Sequence, residues 1–197
     1  MFTKLITLFT KKITNDIVAQ KNLIRHNIKM KKIQLTDIDK MIESKAVFEK
    51  IEMLPEFKEA KSILMYWSLE DELSTQEFIE KWSNKKQILL PVVINKNMVI
   101  KPFTNREELS KSNLGVWEPE NQQTYYKSVD IVIVPGVAFD QNKVRLGRGK
   151  GYYDRFFVNK KILKIGIGFD FQILEKIPKG FYDVKMDKIF TMSHSIE

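Results

Sequence analysis

The sequence predicts an α/β fold, a three-layer sandwich around a mostly parallel, Rossmann-like central sheet. Three observations predict it. Apolar runs of strand length, rich in β-branched residues, recur along the chain. Segments with helical spacing of apolar residues lie between them. The length, 197 residues, suits one ordinary domain with a real core.

Residues 1–20 read as an N-terminal extension ahead of a single domain over 21–197. Its apolar positions are Phe2, Leu5, Ile6, Leu8 and Phe9, broken by Lys4 and threonines. That pattern suits an amphipathic helix or a weak transit peptide, and is far short of the roughly 20 apolar residues of a membrane span. From 15 to 32 the spacing of Ile17, Val18, Leu23, Ile24 and Ile28 predicts a helix. Thr36 with Asp39 predicts a capped helix carrying Ile38, Met41, Ile42, Val47, Phe48 and Ile51, stopped by Pro55. SILMYWS (62–68) reads as a buried strand, and Thr75 as the cap of a helix through Phe78, Ile79 and Trp82. QILLPVV (87–93) and MVIKPF (98–103) read as strands. DIVIVP (130–135) is the clearest buried strand, a β-branched run closed by proline. LKIGIGF (163–169) predicts another strand, 172–176 a helix, and KIF (188–190) a last short strand.

Lys+Arg outnumber Asp+Glu 33 to 25, a formal net charge of +8. Such a surplus suits nucleic acid, an anionic membrane or an anionic small substrate. The cations are scattered, with one local cluster at Lys29, Lys31 and Lys32, and no basic tail or zinc-finger spacing occurs. Neither nucleic acid nor membrane is expected as a partner, and a monomer is expected. With no cysteine, disulfides, thiolate metal sites and thiol catalysis are excluded. A cytoplasmic location fits that composition.

In open α/β sheets, ligands bind beyond the carboxyl ends of the strands. The segment after DIVIVP is therefore where chemistry is expected. It contains Arg145, Leu146, Gly147, Arg148, Gly149, Lys150, Gly151, Tyr152, Tyr153, Asp154 and Arg155 in succession. Alternating glycines let backbone N–H groups approach phosphate oxygens. Arg145, Arg148 and Lys150 add charge, and a helix starting near Gly151 adds free amides. Asp154 follows within about one helical turn, where a carboxylate can hold Mg²⁺ against phosphates. The spacing is neither a P-loop nor a dinucleotide fingerprint. Spacing alone equally allows a plain strand-to-helix turn; the cations and Asp154 favour a triphosphate site.

The strings PGVAFD and RLGRGKGYYDRF resemble the signature of the 5-formyltetrahydrofolate cyclo-ligase family. The resemblance runs from about Lys21 to Ile189. It implies ATP and Mg²⁺ as cofactors and a reduced folate, with or without a polyglutamate tail, as substrate. Lys21 and Arg25 resemble the K-x-x-L-R helix whose cations reach the ATP phosphates, although on spacing alone they read as solvated. Residues 145–153 would bind ATP, with Arg148, Lys150 and Tyr152 at the reacting groups. Trp67, Glu72, Trp117, Glu118, Arg148 and Tyr152 would line the folate site. Trp67 reads alternatively as core, Glu72 as an acidic helix opening, and Trp117 as a surface aromatic. Asp187, in a K-x-D segment, would hold Mg²⁺ with Asp154. Two rivals remain open: an ATP-dependent ligase or kinase acting on another acceptor, and a basic RNA- or nucleotide-binding module.

Overall fold

A computed structural model describes residues 2–113, 115–120 and 123–197, with side chains from residue 14 onward. The chain runs α1 (Phe2–Lys32), α2 (Asp37–Met53), α3 (Pro55–Glu59), β1 (Ser62–Leu64), α4 (Gln76–Ser83), β2 (Gln87–Ile94) and β3 (Asn97–Pro102). The hairpin β4 (Leu109–Lys111) and β5 (Trp117–Pro119) follows, then β6 (Ile131–Pro135), β7 (Ala138–Asp140), β8 (Arg145–Leu146) and α5 (Tyr152–Phe157). β9 (Leu163–Ile167), β10 (Ile173–Leu174), β11 (Lys188–Phe190) and β12 (Ser195–Ile196) complete it.

The main sheet has the order β12-β11-β9-β6-β1-β2-β3. Its five inner strands are parallel, and both edge strands are antiparallel. Alternate side chains divide between its faces, as the pleat requires. Ile63, Ile131, Ile133, Ile165 and Ile167 pack with Val47, Phe48 and Ile51 of α2, Phe57 of α3, and Phe78 and Ile79 of α4. Leu64, Val132, Val134 and Ile189 face the other way, toward Phe139 of β7 and Phe157 of α5. The predicted layers are therefore present. α1 lies apart, packing Ile28 on Ala138 and Leu146 of the small sheet β10-β7-β8 and on Val144 just before β8.

Thr36 caps α2 as predicted, accepting from Asp39 N while Asp39 accepts from Thr36 N, 3.1 Å each. Only the second half of α2 reaches the core: Val47, Phe48 and Ile51 are buried, whereas Ile38, Met41 and Ile42 are exposed. Three expectations need correction. The helix expected over 172–176 is instead a 3₁₀ turn, Asp170–Gln172, running into β10, because Gln172 turns inward to the Gly136 and Val137 carbonyls at 2.8 Å. Thr75 precedes α4 but does not cap it by its side chain; its hydroxyl donates to the Tyr66 carbonyl at 2.6 Å. The ladder of β1 stops at Leu64, although residues 65–68 stay buried. α1 runs continuously from Phe2 through residue 20 to Lys32. The amphipathic stripe predicted through Phe2, Leu5, Ile6, Leu8 and Phe9 concerns side chains outside the described residues.

Glycines in β9 and after β6 make room for one buried ring. A Cβ on Gly166 would stand 2.6 Å from the Phe139 ring, and one on Gly136 2.4 Å from it. Phe139 thereby seats β7 against the main sheet beneath the glycine-rich segment. Phe139→Ala is expected to cost about 3–5 kcal/mol of stability. Gly166→Ala should cost about 1–3 kcal/mol through overpacking. Urea unfolding of the two variants measures both.

Candidate active site

The glycine-rich segment leaves β8 and turns into α5. Gly149 and Gly151 have φ of 99° and 66°, values a side-chain-bearing residue adopts only under strain. Gly151 is the N-cap of α5, as expected, but α5 has only six residues, so its dipole adds little to the charge of the loop.

α1 lines this loop with a single stripe. Lys21, Arg25, Ile28 and Lys32 recur at offsets of 4, 7 and 11, which keeps them on one helical face. Lys21 pairs with Asp183. The Arg25 Nε donates to the Gly147 carbonyl at 3.0 Å. Ile28 is buried against β7 and β8 and fixes the helix on the site. The Lys32 ammonium pairs with Asp71 at 3.2 Å, and its side chain is only 7% exposed. Burial pushes the Lys32 ammonium below its ordinary range, and Asp71 opposes that shift.

Arg148 crosses from the loop to the segment after β1. Its Nη2 lies 2.6 Å from Asp71 Oδ1 and 3.0 Å from Glu72 Oε1. Glu72 also accepts the Leu69 N–H at 3.1 Å. Burial alone would raise the Asp71 carboxyl; Lys32 and Arg148 together overcome it and hold the group below the usual carboxylate range. Four charged groups, two of each sign, thus join the glycine loop to the strand-end segment.

Arg145 is placed differently from a phosphate clamp. Its side chain is 5% exposed and pairs with Asp154 at 3.0 Å. It also donates to the Pro135 carbonyl at 3.4 Å and packs over the Tyr153 ring. The second Asp154 oxygen accepts the Val184 N–H at 3.1 Å. Arg145 Nε and the Tyr153 hydroxyl are buried without a hydrogen-bond partner among the described residues. Burial pushes the Tyr153 hydroxyl well above its ordinary range, so it stays a proton donor. Leu146 is core, its carbonyl accepting the Val137 N–H at 2.7 Å. Lys150 is exposed, and Tyr152 is half-buried under the Arg155 guanidinium.

Asp187 is not brought to Asp154. Its N–H donates to the Lys164 carbonyl at 2.8 Å, and its carboxylate takes the Lys164 N–H and ammonium at 2.7 Å each. That pins it at the amino end of β9, whereas Pro135 and Ile167 mark the carboxyl ends. The carboxylate next to the site is Asp183, at the close of a turn from Gly180. Trp67 is buried in the core against Phe103, with ring centroids 5.7 Å apart. Trp117 is partly exposed on β5; Glu118 beside it is buried, takes the Val93 N–H at 3.4 Å, and is pushed up by desolvation.

Comparison with known proteins decides the family. The 5-formyltetrahydrofolate cyclo-ligase family, as a sequence profile, matches residues 17–192. The chain belongs to the 5-formyltetrahydrofolate cyclo-ligase family. A 5-formyltetrahydrofolate cyclo-ligase of Haemophilus influenzae is 30% identical over 180 residues, covering 83% of this chain and 92% of that one. The Escherichia coli K12 cyclo-ligase is 31% identical, covering 68% of this chain and 79% of that one. The NMR structure of Aquifex aeolicus 5,10-methenyltetrahydrofolate synthetase superposes with a TM-score of 0.81 at 30% identity, over 89% of this chain and 91% of that one.

Within this cyclo-ligase family frame, the structure adds Lys32, Asp71 and Asp183 to the residues read from sequence. Lys32 had a signal, its place on the Lys21 stripe, but it lay in a basic cluster that reads as solvent-facing. Asp71 was masked by its acidic neighbours Glu70 and Glu72, and Asp183 by Asp187 four positions on. Among the described residues no group of three or more metal-type ligands occurs, and no helix is long and apolar enough to cross a membrane.

Proposed function

We propose that this protein uses ATP and Mg²⁺ to cyclise 5-formyltetrahydrofolate to 5,10-methenyltetrahydrofolate. The observation that carries the reading is Arg148, a cation of the glycine loop in contact with Glu72. It joins a phosphate cradle to a carboxylate suited to the N–H donors of a pterin edge. Family membership supplies the acceptor.

The formyl oxygen of the substrate is a poor leaving group. It attacks the γ-phosphorus, the bond from that phosphorus to the ADP oxygen breaks, and an N5 iminium phosphate forms. N10 then attacks the activated carbon, phosphate departs with the former formyl oxygen, and the N10 proton is lost to solvent. In this reading Lys21 and Arg25 attract the phosphates, and the glycine-loop amides receive them. Arg148 or Lys150 meets the charge that develops on the transferring group, and Tyr152 lies beside the folate. Arg145 acts through Asp154 by fixing its position. Catalysis is then positioning and electrostatics, with no covalent side-chain intermediate.

Two carboxylates, Asp154 and Asp183, suit a hard cation that completes its shell with phosphate oxygens and water. Each already pairs with one cation, Arg145 and Lys21, so the divalent charge would be balanced by the nucleotide phosphates rather than by the carboxylates alone. When bound, Mg²⁺ neutralises phosphate charge. ATP and a reduced folate, with or without its γ-glutamyl tail, are the partners in this reading, and a monomer in the cytoplasm is the setting.

Oxygen tracing tests the mechanism. Substrate carrying ¹⁸O in its formyl group should deliver that label to inorganic phosphate, with ADP formed in equal amount. Label remaining in water or in the folate, or turnover without ADP, would contradict it.

A further inference from the structure

Phe181 and Tyr182 are 94% and 84% exposed, yet their rings meet edge to face with centroids 5.2 Å apart. They occupy the two central positions of the turn from Gly180 to Asp183. That turn is fastened at both ends: Asp183 N donates to the Gly180 carbonyl at 3.3 Å, and Gly180 N to the Asp183 carboxylate at 2.7 Å. It is fastened to the site as well. Asp183 pairs with Lys21, and the next residue, Val184, donates to Asp154. An aromatic pair this exposed buries nothing in the fold, but it is held at the edge of the phosphate cradle.

The stripe on α1 gives the cradle a direction. Lys32 marks the end where Asp71, Glu72 and Arg148 meet. Lys21 marks the end where Asp183 and the ring pair lie. At about 1.5 Å per residue, the two ends stand roughly 16 Å apart along the helix. The transferring phosphate has to meet the acceptor, and Glu72 puts the acceptor at the Lys32 end. The rest of a nucleotide must then run toward Lys21, and an extended triphosphate with its ribose covers that distance.

We propose that the Phe181–Tyr182 pair receives the base of the nucleotide, whose phosphates run along α1 with the terminal one at Arg148. The direction rests on the functional reading above; the ring pair and its tie to Lys21 do not. Every purine presents a π-face, so stacking on these rings adds affinity with little base selectivity.

Calorimetric titration of the full chain with ATP and with inorganic tripolyphosphate, both with Mg²⁺, tests the proposal. Changing both rings to alanine should weaken ATP binding about tenfold and leave tripolyphosphate binding unchanged. Tyr182→Trp should keep ATP affinity and give an indole emission that ATP quenches and tripolyphosphate does not. Unchanged ATP affinity in the double alanine variant would overturn the proposal. So would equal loss for both ligands, which would mean the turn acts only through Lys21 and Asp183, or a loss confined to folate. A parallel cyclisation assay separates the two readings. Selective loss of ATP affinity in a protein that does not cyclise the folate sinks the acceptor assignment and keeps the ring site. Cyclisation without selective loss does the reverse.

Discussion

Arg148→Ala is expected to lower the cyclisation rate on the order of 10³-fold, the scale of other arginines that stabilise a transferring phosphoryl group. The fold should survive. Arg148 and Asp71 are both about half exposed, and such pairs contribute at most about 1 kcal/mol. Glu72, mostly covered, keeps the Leu69 N–H, and Asp71 keeps Lys32. Arg148→Lys should recover only part of the rate, because an ammonium is a point charge and lacks the planar array of donors a guanidinium offers a transferring phosphate. Single-turnover kinetics with thermal melts separates rate from stability. A kcat within roughly threefold of the parent would remove Arg148 from the chemistry and leave it a structural tie.

The second large effect separates three aspartates. Asp154→Asn should cut turnover on the order of 10²-fold or more and raise the Mg²⁺ needed for half-maximal rate. It should also melt lower, because Arg145 is nearly buried and would lose its counter-charge, a change worth about 3 kcal/mol. Asp183→Asn should show the same Mg²⁺ shift, with Lys21 rather than Arg145 left unbalanced. Asp187→Asn should leave the Mg²⁺ dependence alone, since its carboxylate is occupied by Lys164 at the far end of the sheet. Mg²⁺ titrations of the three variants check this. A shift in Asp187→Asn, without one in Asp183→Asn, would reverse the assignment.

The contrast between Asp183 and Asp187 shows what was legible in the sequence. Buried strands such as DIVIVP have one physical reading, and β6 lies where the pattern puts it. The strand-to-helix turn at the glycine loop was legible because closely spaced glycines suit the positive φ that Gly149 and Gly151 adopt. Which of two nearby aspartates stays beside the loop, paired with Lys21, was not, because it depends on strand register. Met186 N donates to the Lys143 carbonyl and Asp187 N to the Lys164 carbonyl, and these long-range pairings fix which carboxylate stays at the loop. Arg145 read as a phosphate cation because local sequence does not reveal that a charged side chain will be buried beside Asp154. Gln172 carried no helical stop signal; its inward turn depends on two carbonyls more than thirty residues away. The exposed half of α2 escaped for a similar reason: apolar spacing marks a helix, not how much of its length the sheet beneath can cover.

The most direct measurement follows methenyltetrahydrofolate by its near-ultraviolet absorbance when the protein is mixed with 5-formyltetrahydrofolate, Mg²⁺ and ATP. The account predicts a rise that requires ATP and is largely lost in Asp154→Asn. No rise in a folded protein that still binds ATP, or a rise of equal rate without ATP, would contradict it.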